Sequence, residues 1–193
     1  MQPEISETVS KMMSGADLSQ REQLQAYYYM RVQVAVVEDA LWQHDIDLKL
    51  FAAIRLSRLA LPIMQARKWG RIVNVLNTGA KAPGAGSAPT SVTRAAGMAL
   101  TKVLAGEGAP YNVLANAVLV GRIKSHQWVK RHAAENKGRS LEEFYAEMGR
   151  AVPLGRVGTA EEFANMVLFL ASDAGSYITG TAINVDGNRS PVV

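Results

Sequence analysis

Two short runs constrain most strongly what this chain can fold into. Arg71 to Leu76 and Val113 to Val120 are nearly unbroken apolar stretches of strand length. A strand wetted on one face would alternate apolar with polar residues, so continuous runs predict a parallel sheet covered on both faces. Arg31 to Val37, with Val32, Val34, Val36 and Val37, and Ala182 to Val185, closed by Asp186 and Gly187, read as two further strands. Between the strands lie a long helix from Asp39 to Lys68, a small-residue helix from Thr90 to Gly106 and a polar helical region from Ser125 to Arg150. A helix from Thr159 to Ala171 follows, with Thr159 and Glu162 spaced as a capping box. Strands alternating with helices of crossover length predict an α/β fold, a doubly wound parallel sheet of about four strands.

Residues 1–30 read as a separate helical segment and 31–193 as the core of a single domain. Ile5 to Met13 has helical spacing, and Ser19 with Glu22 can cap a second helix that ends at Tyr27, Tyr28 and Tyr29. Those helices, or a partner, are expected to cover the apolar edge left by Arg31 to Val37.

The absence of cysteine excludes disulfides, thiol catalysis and cysteine-ligated metal. A formal charge of +4, with both signs mixed along the chain, gives no basic block for nucleic acid or lipid. The polar start at Met1-Gln2-Pro3-Glu4 is unlike a signal peptide, and the apolar stretch Leu56 to Met64 is too short and too broken to span a membrane. A cytoplasmic location is expected. His44, His126 and His132 lack ligand spacing, so no metal is expected. Lys124, Lys130, Arg131 and His132 read as a solvated basic face, and Trp42, Trp69 and Trp128 as packing residues or interface anchors.

From about residue 45 a series of short strings appears in one order. They are Asp45-Ile46-Asp47-Leu48, Leu61-Pro62-Ile63-Met64, Gly70-Arg71-Ile72-Val73-Asn74-Val75, Arg94-Ala95-Ala96 and Leu100-Thr101-Lys102. Asn112 to Val118, Pro153 to Thr159, Phe169-Leu170-Ala171-Ser172, Ile178-Thr179-Gly180 and Val185-Asp186-Gly187 complete the series. Through these strings the chain resembles the short-chain dehydrogenase/reductase family. The resemblance implies a Rossmann-like fold and hydride transfer between a nicotinamide and a carbonyl or alcohol carbon. In the family a tyrosine acts as general acid/base, a lysine four residues on lowers its pKa and holds the ribose, a serine binds the substrate oxygen, and an asparagine supports a proton relay.

Carried onto this chain, the resemblance puts Thr90 at the tyrosine, Arg94 at the lysine, Asn77 at the serine and Asp47 at the asparagine. All four differ from the family pattern. An aliphatic hydroxyl is a far weaker acid than a tuned phenol, and a guanidinium fork does not reproduce a compact ammonium. The family's glycine-rich nucleotide loop finds no match in residues 1–30, where Gly15 is the sole glycine. Thr78-Gly79 to Gly84-Ala85-Gly86 has glycines at the wrong spacing for that loop and reads as a substrate loop. Gly121, Ile123 and Ser125 fall on the family's nicotinamide loop and read as inherited geometry.

The expectation from these departures is a truncated Rossmann-like sheet without its nucleotide-binding strands, with no catalytic and no cofactor-binding residues. The chain is then expected to be an inactive subunit, with NAD(P) held by an active short-chain dehydrogenase in a heterotetramer. 2-(Hydroxybenzyl)succinyl-CoA dehydrogenase pairs subunits in this way. The rival readings are a free-standing ligand-binding homo-oligomer of the same fold and a reductase with an atypical site.

Overall fold

The computed structural model describes residues 34–135 and 138–193. The segment read as helical over 1–30, with its capping box and three tyrosines, lies outside the described residues. Three strands form one parallel sheet in the order β1-β2-β3: β1 (Gly70–Asn77), β2 (Val113–Val120) and β3 (Ala182–Val185). The helices are α1 (Asp39–Asp45), α2 (Ala52–Arg67), α3 (Thr90–Gly108), α4 (His126–Glu135), α5 (Leu141–Gly149) and α6 (Ala160–Ala171). A π-helical segment, Ile46–Phe51, joins α1 to α2. The expected α/β architecture is therefore present, with three strands among the described residues.

The fourth expected strand is a correction. Val34–Val36 forms a 3-10 turn, and residues 31–33 lie outside the described part. Valine-rich composition favours a strand only where a neighbour completes the pleated surface, so tertiary context overrides the local preference. The polar helical region also divides, into α4 and α5, because Ser140 starts a new helix with Glu143 in a reciprocal capping box.

Strand β2 is the axis of the fold. Val113 through Leu119 are all buried, as the unbroken apolar run predicts. On one face Leu104 and Ala105 of α3 and Leu61 of α2 pack over Ala115 and Ile72. Further along that face, Leu76, Ala117 and Leu119 meet Met98. A Cβ on Gly97 would lie 2.9 Å from Leu76, so the missing side chain lets α3 settle close to β1. Asn116 is buried within β2 and satisfied in both directions. Its Nδ2 donates to Ile178 O at 2.8 Å, and its Oδ1 accepts from Thr181 N and Thr181 Oγ1 at 3.2 and 3.0 Å. These bonds fix the loop that leads into β3.

Helix α6 begins at the expected capping box. Glu162 N donates to Thr159 Oγ1, and Thr159 N donates to Glu162 Oε2 at 2.8 Å. Arg156 adds a fork to the same carboxylate at 2.6 and 2.8 Å. Arg156 first, then the Thr159 backbone, holds the Glu162 carboxyl down to about 2. No helix among the described residues is long and apolar enough to cross a membrane.

The folded-state pKa of Glu162 lies below its unfolded value. Its contribution is therefore present above the usual carboxylate range and lost as pH falls toward about 2. Replacing Thr159 with Ala is expected to cost about 1 kcal/mol at neutral pH. Replacing Glu162 with Gln is expected to flatten the acid limb of the stability curve, read by denaturant unfolding across that range.

Candidate active site

In a doubly wound sheet, ligands bind beyond the carboxyl ends of the strands. Here that edge is formed by Asn77 at the end of β1, the loop after β2 and the N-terminus of α3. Asp45, the last residue of α1, and Lys49, in the π-helical segment, come to the same place. Asp45 has 2% of its side chain exposed and Lys49 13%, and the two form an ion pair one turn apart. Thr93 Oγ1 donates to the other Asp45 oxygen at 2.6 Å. Lys49 Nζ also donates to Thr90 Oγ1 at 3.0 Å. A chain of contacts thus runs from Thr93 through Asp45 and Lys49 to the Thr90 hydroxyl.

Burial is the largest influence on Lys49 and pushes its pKa below the ordinary lysine value. The hydrogen bond to Asp45 opposes that shift, and the nearby Arg94 charge reinforces it. The ammonium is held in place by Asp45, yet it releases its proton more readily than a surface lysine would. Arg94, one turn after Thr90 on α3, adds fixed positive charge to the cluster.

Asn77 Oδ1 is buried with no hydrogen-bond partner. A Cβ on Gly79 would lie 2.7 Å from Ser91 Oγ and 3.1 Å from Asn77 Oδ1, so a side chain there would collide with the α3 terminus. The loop after β2 is pinned by backbone bonds: Gly158 N donates to Arg122 O and Lys124 N to Gly158 O, both at 2.9 Å. Ile123 therefore bridges to Gly158 and the loop carrying Gly121, Ile123 and Ser125 has a defined path.

Of the four positions carried over from the family resemblance, the structure brings Thr90 and Arg94 to one cluster and sets Asn77 at the neighbouring strand end. Asp47 lies elsewhere. It is half exposed, accepts from Gln43 at 3.0 Å and pairs with Arg55 at 3.3 Å. Sequence reasoning missed Lys49 and the anchoring role of Asp45. The available signal was their separation of one helical turn, with opposite charges, in a helix apolar on several faces. His132 bonds the Arg139 carbonyl at 2.7 Å and packs on Phe144, a packing role. In the basic face, Lys124 lies over Tyr145 and Arg131 pairs with Glu135.

Residues 24–187 match a family profile described as Enoyl-(Acyl carrier protein) reductase. The chain belongs to the short-chain dehydrogenase/reductase family. It is 36% identical over 146 residues to a 3-oxoacyl-[acyl-carrier-protein] reductase of Aquifex aeolicus, covering 76% of this chain and 55% of that protein. It is 34% identical over 142 residues to the NADPH-dependent reductase BacG of Bacillus subtilis, covering 72% of this chain and 54% of that protein. Among solved structures it resembles an NADPH-bound short-chain oxidoreductase of Pseudomonas aeruginosa PAO1 with an atypical catalytic center. There the identity is 34% and the TM-score 0.75, over 84% of this chain and 62% of that one. The chain thus spans a little over half the length of its curated relatives.

These relatives overturn three expectations: the non-catalytic subunit, the absence of enzyme activity and the assignment of NAD(P) to a partner alone. Two of these relatives are named as reductases, one of them NADPH-dependent, and the solved structure is an NADPH-bound oxidoreductase. Taken together, the four departures at Thr90, Arg94, Asn77 and Asp47 had pointed to loss of the reaction. Lys49, from the π-helical segment, reaches the same cluster and touches Thr90.

Removing the Asp45 carboxylate takes its ion-pair partner from a largely buried ammonium. Asp45→Leu is expected to destabilise the protein by about 3–5 kcal/mol, and Asp45→Leu with Lys49→Met to recover most of that loss. Denaturant melts of the two variants read the difference.

Proposed function

We propose that this chain carries the reaction centre of an NAD(P)H-dependent short-chain reductase acting on a carbonyl, with Lys49, Thr90 and Arg94 replacing the family's tyrosine and lysine. The observation that carries the reading is the Lys49 Nζ to Thr90 Oγ1 hydrogen bond, made by an ammonium whose pKa burial has lowered. A threonine hydroxyl alone cannot serve as the acid near neutral pH. A hydroxyl in contact with a buried ammonium can pass a proton on.

The residues present fit the nicotinamide end of the cofactor. Asn77 Oδ1 is a buried acceptor awaiting a donor, and the pinned loop at Gly121, Ile123 and Ser125 lies at the carboxyl ends of the strands. Arg94 stands where the family holds the ribose. NAD(P)H, when bound, would supply a hydride to the carbonyl carbon. On the protein side, the carbonyl oxygen takes the Thr90 hydroxyl proton. Thr90 in turn takes a proton from Lys49, which is left as the neutral amine held against Asp45. Arg94 stabilises the negative charge that develops on oxygen before that proton arrives. Asp45 and Thr93 position Lys49 and touch no reacting atom.

Assembly is also proposed, through the face formed by α2 and α3. Leu56, Leu59, Ile63, Val92 and Val103 are exposed there, an apolar surface that suits a second subunit of the same fold.

The purified protein is expected to oxidise NADPH in the presence of a reducible ketone. Lys49→Met is expected to lower kcat by about 10²–10⁴-fold, the usual worth of a positioned acid. The acid must be protonated, so kcat is expected to fall as pH rises, on a limb below the ordinary lysine value, and that limb should vanish in Lys49→Met. NADPH oxidation unaffected by Lys49→Met, or no oxidation with any of a broad panel of ketones, would overturn the reading.

A further inference from the structure

We propose that the Thr93 hydroxyl sets the pH at which Lys49 gives up its proton, by holding the Asp45 carboxylate in its charged form once the ammonium beside it is gone. The inference rests on the reductase reading and names what controls that site.

Lys49 and Thr93 divide one buried carboxylate between them. Thr93 is 3% exposed and Asp45 2%. Of the two carboxylate oxygens, Oδ1 accepts from Lys49 Nζ and Oδ2 from Thr93 Oγ1 at 2.6 Å. Asp45 ends α1 and Thr93 belongs to α3, so the second bond joins residues 48 positions apart. A threonine within a helix has a local acceptor available, a carbonyl of the preceding turn. For Thr93 that acceptor is Thr90 O, at 3.1 Å. A hydroxyl has one proton to give. The shorter distance and the charged acceptor commit it to Asp45 rather than to its own helix.

The consequence falls on Lys49. While the ammonium is charged, it balances Asp45, and the Thr93 bond is a supplement. When the proton leaves through Thr90, a neutral amine remains and the buried carboxylate has lost its counter-charge. Such a carboxylate either takes up a proton or is held by neutral donors. A hydroxyl already aimed at Oδ2 holds it. The bond is therefore worth more after proton transfer than before, and that difference eases release from Lys49. The charged groups acting on Lys49 from the helices packed around it are Asp45 of α1 and Arg94 of α3. Arg94 opposes the ammonium by repulsion and keeps its own charge throughout. On α2, Arg55 pairs with Asp47, which also accepts from Gln43. Thr93 is the neutral donor that answers the change on Asp45.

The test follows the Lys49 side chain directly. The full protein, isotopically labelled at the lysine Nζ atoms, is titrated by NMR without cofactor or substrate. The Lys49 signal is assigned by its loss in Lys49→Met. Thr93→Val keeps the branched shape and removes the hydroxyl. It is expected to raise the Lys49 midpoint by about one pH unit, a roughly tenfold tighter hold on the proton, the worth of a charge-assisted bond. Thr93→Ala, a second variant without the hydroxyl, is expected to move the midpoint in the same direction. Thr93→Ser restores the hydroxyl and is expected to return the midpoint to that of the unaltered protein. A midpoint unchanged or lowered in a folded variant without the hydroxyl, or displaced as far in Thr93→Ser as in Thr93→Val, would overturn the proposal. A packing role alone would lower the melting temperature and leave the midpoint where it was. In turnover, the alkaline limb of kcat is expected to move upward with the midpoint. The titration is read without turnover, so a failure of the reductase reading and a failure of the Thr93 coupling remain separate results.

Discussion

Everything in this molecule is arranged around a strand that water does not reach. Strand β2 buries seven successive residues, so it needs a strand on each side and helices on both faces. Its own sequence enforces this, because a run of Val, Leu and Ala with a single asparagine offers no side to solvent. The asparagine completes the constraint, since its amide has to be satisfied in the dark and takes the 178–181 loop as its partner. With β2 fixed, the ends of β1 and β3 and the start of α3 follow, and so does the edge where the polar cluster gathers.

That cluster sets burial against charge. An ammonium taken out of water loses several kcal/mol of solvation, which its bonds to the Asp45 carboxylate and the Thr90 hydroxyl offset only in part. The residual cost appears as a lysine that parts with its proton more easily. In the proposed reaction, packing that would count as a liability in a purely structural lysine becomes useful beside a hydroxyl that has to receive a proton.

Much of the fold was legible because it is written in local patterns. The strands at 70–77, 113–120 and 182–185 and the box at Thr159 and Glu162 are short-range signals that tertiary structure had no reason to override. The stretch around Val34 misled, since a valine-rich run becomes a strand only if another strand lies beside it. The site was half legible. Thr90 and Arg94 could be located by family spacing, and Asn77 by the end of its strand. Lys49 could not be found that way, because its place depends on a contact spanning 41 residues that no local pattern records. The family positions that lack their usual residues therefore do not account for Lys49, which touches Thr90 from another element. A replacement from another element can fill the role.

The π-helical segment from Ile46 to Phe51 has a consequence for how motifs are carried along this helix. Each residue of an α-helix turns the chain by roughly 100°, so one additional residue in a turn rotates everything beyond it by about that angle. Alignment counts residues, whereas a binding site is met in angular phase. Asp47 and Lys49, two positions apart in the count, end on different sides of the helix, Asp47 toward Gln43 and Arg55 and Lys49 toward Thr90. In this stretch a one-residue insertion or deletion would change the side chain presented to the site while leaving both flanking helices intact.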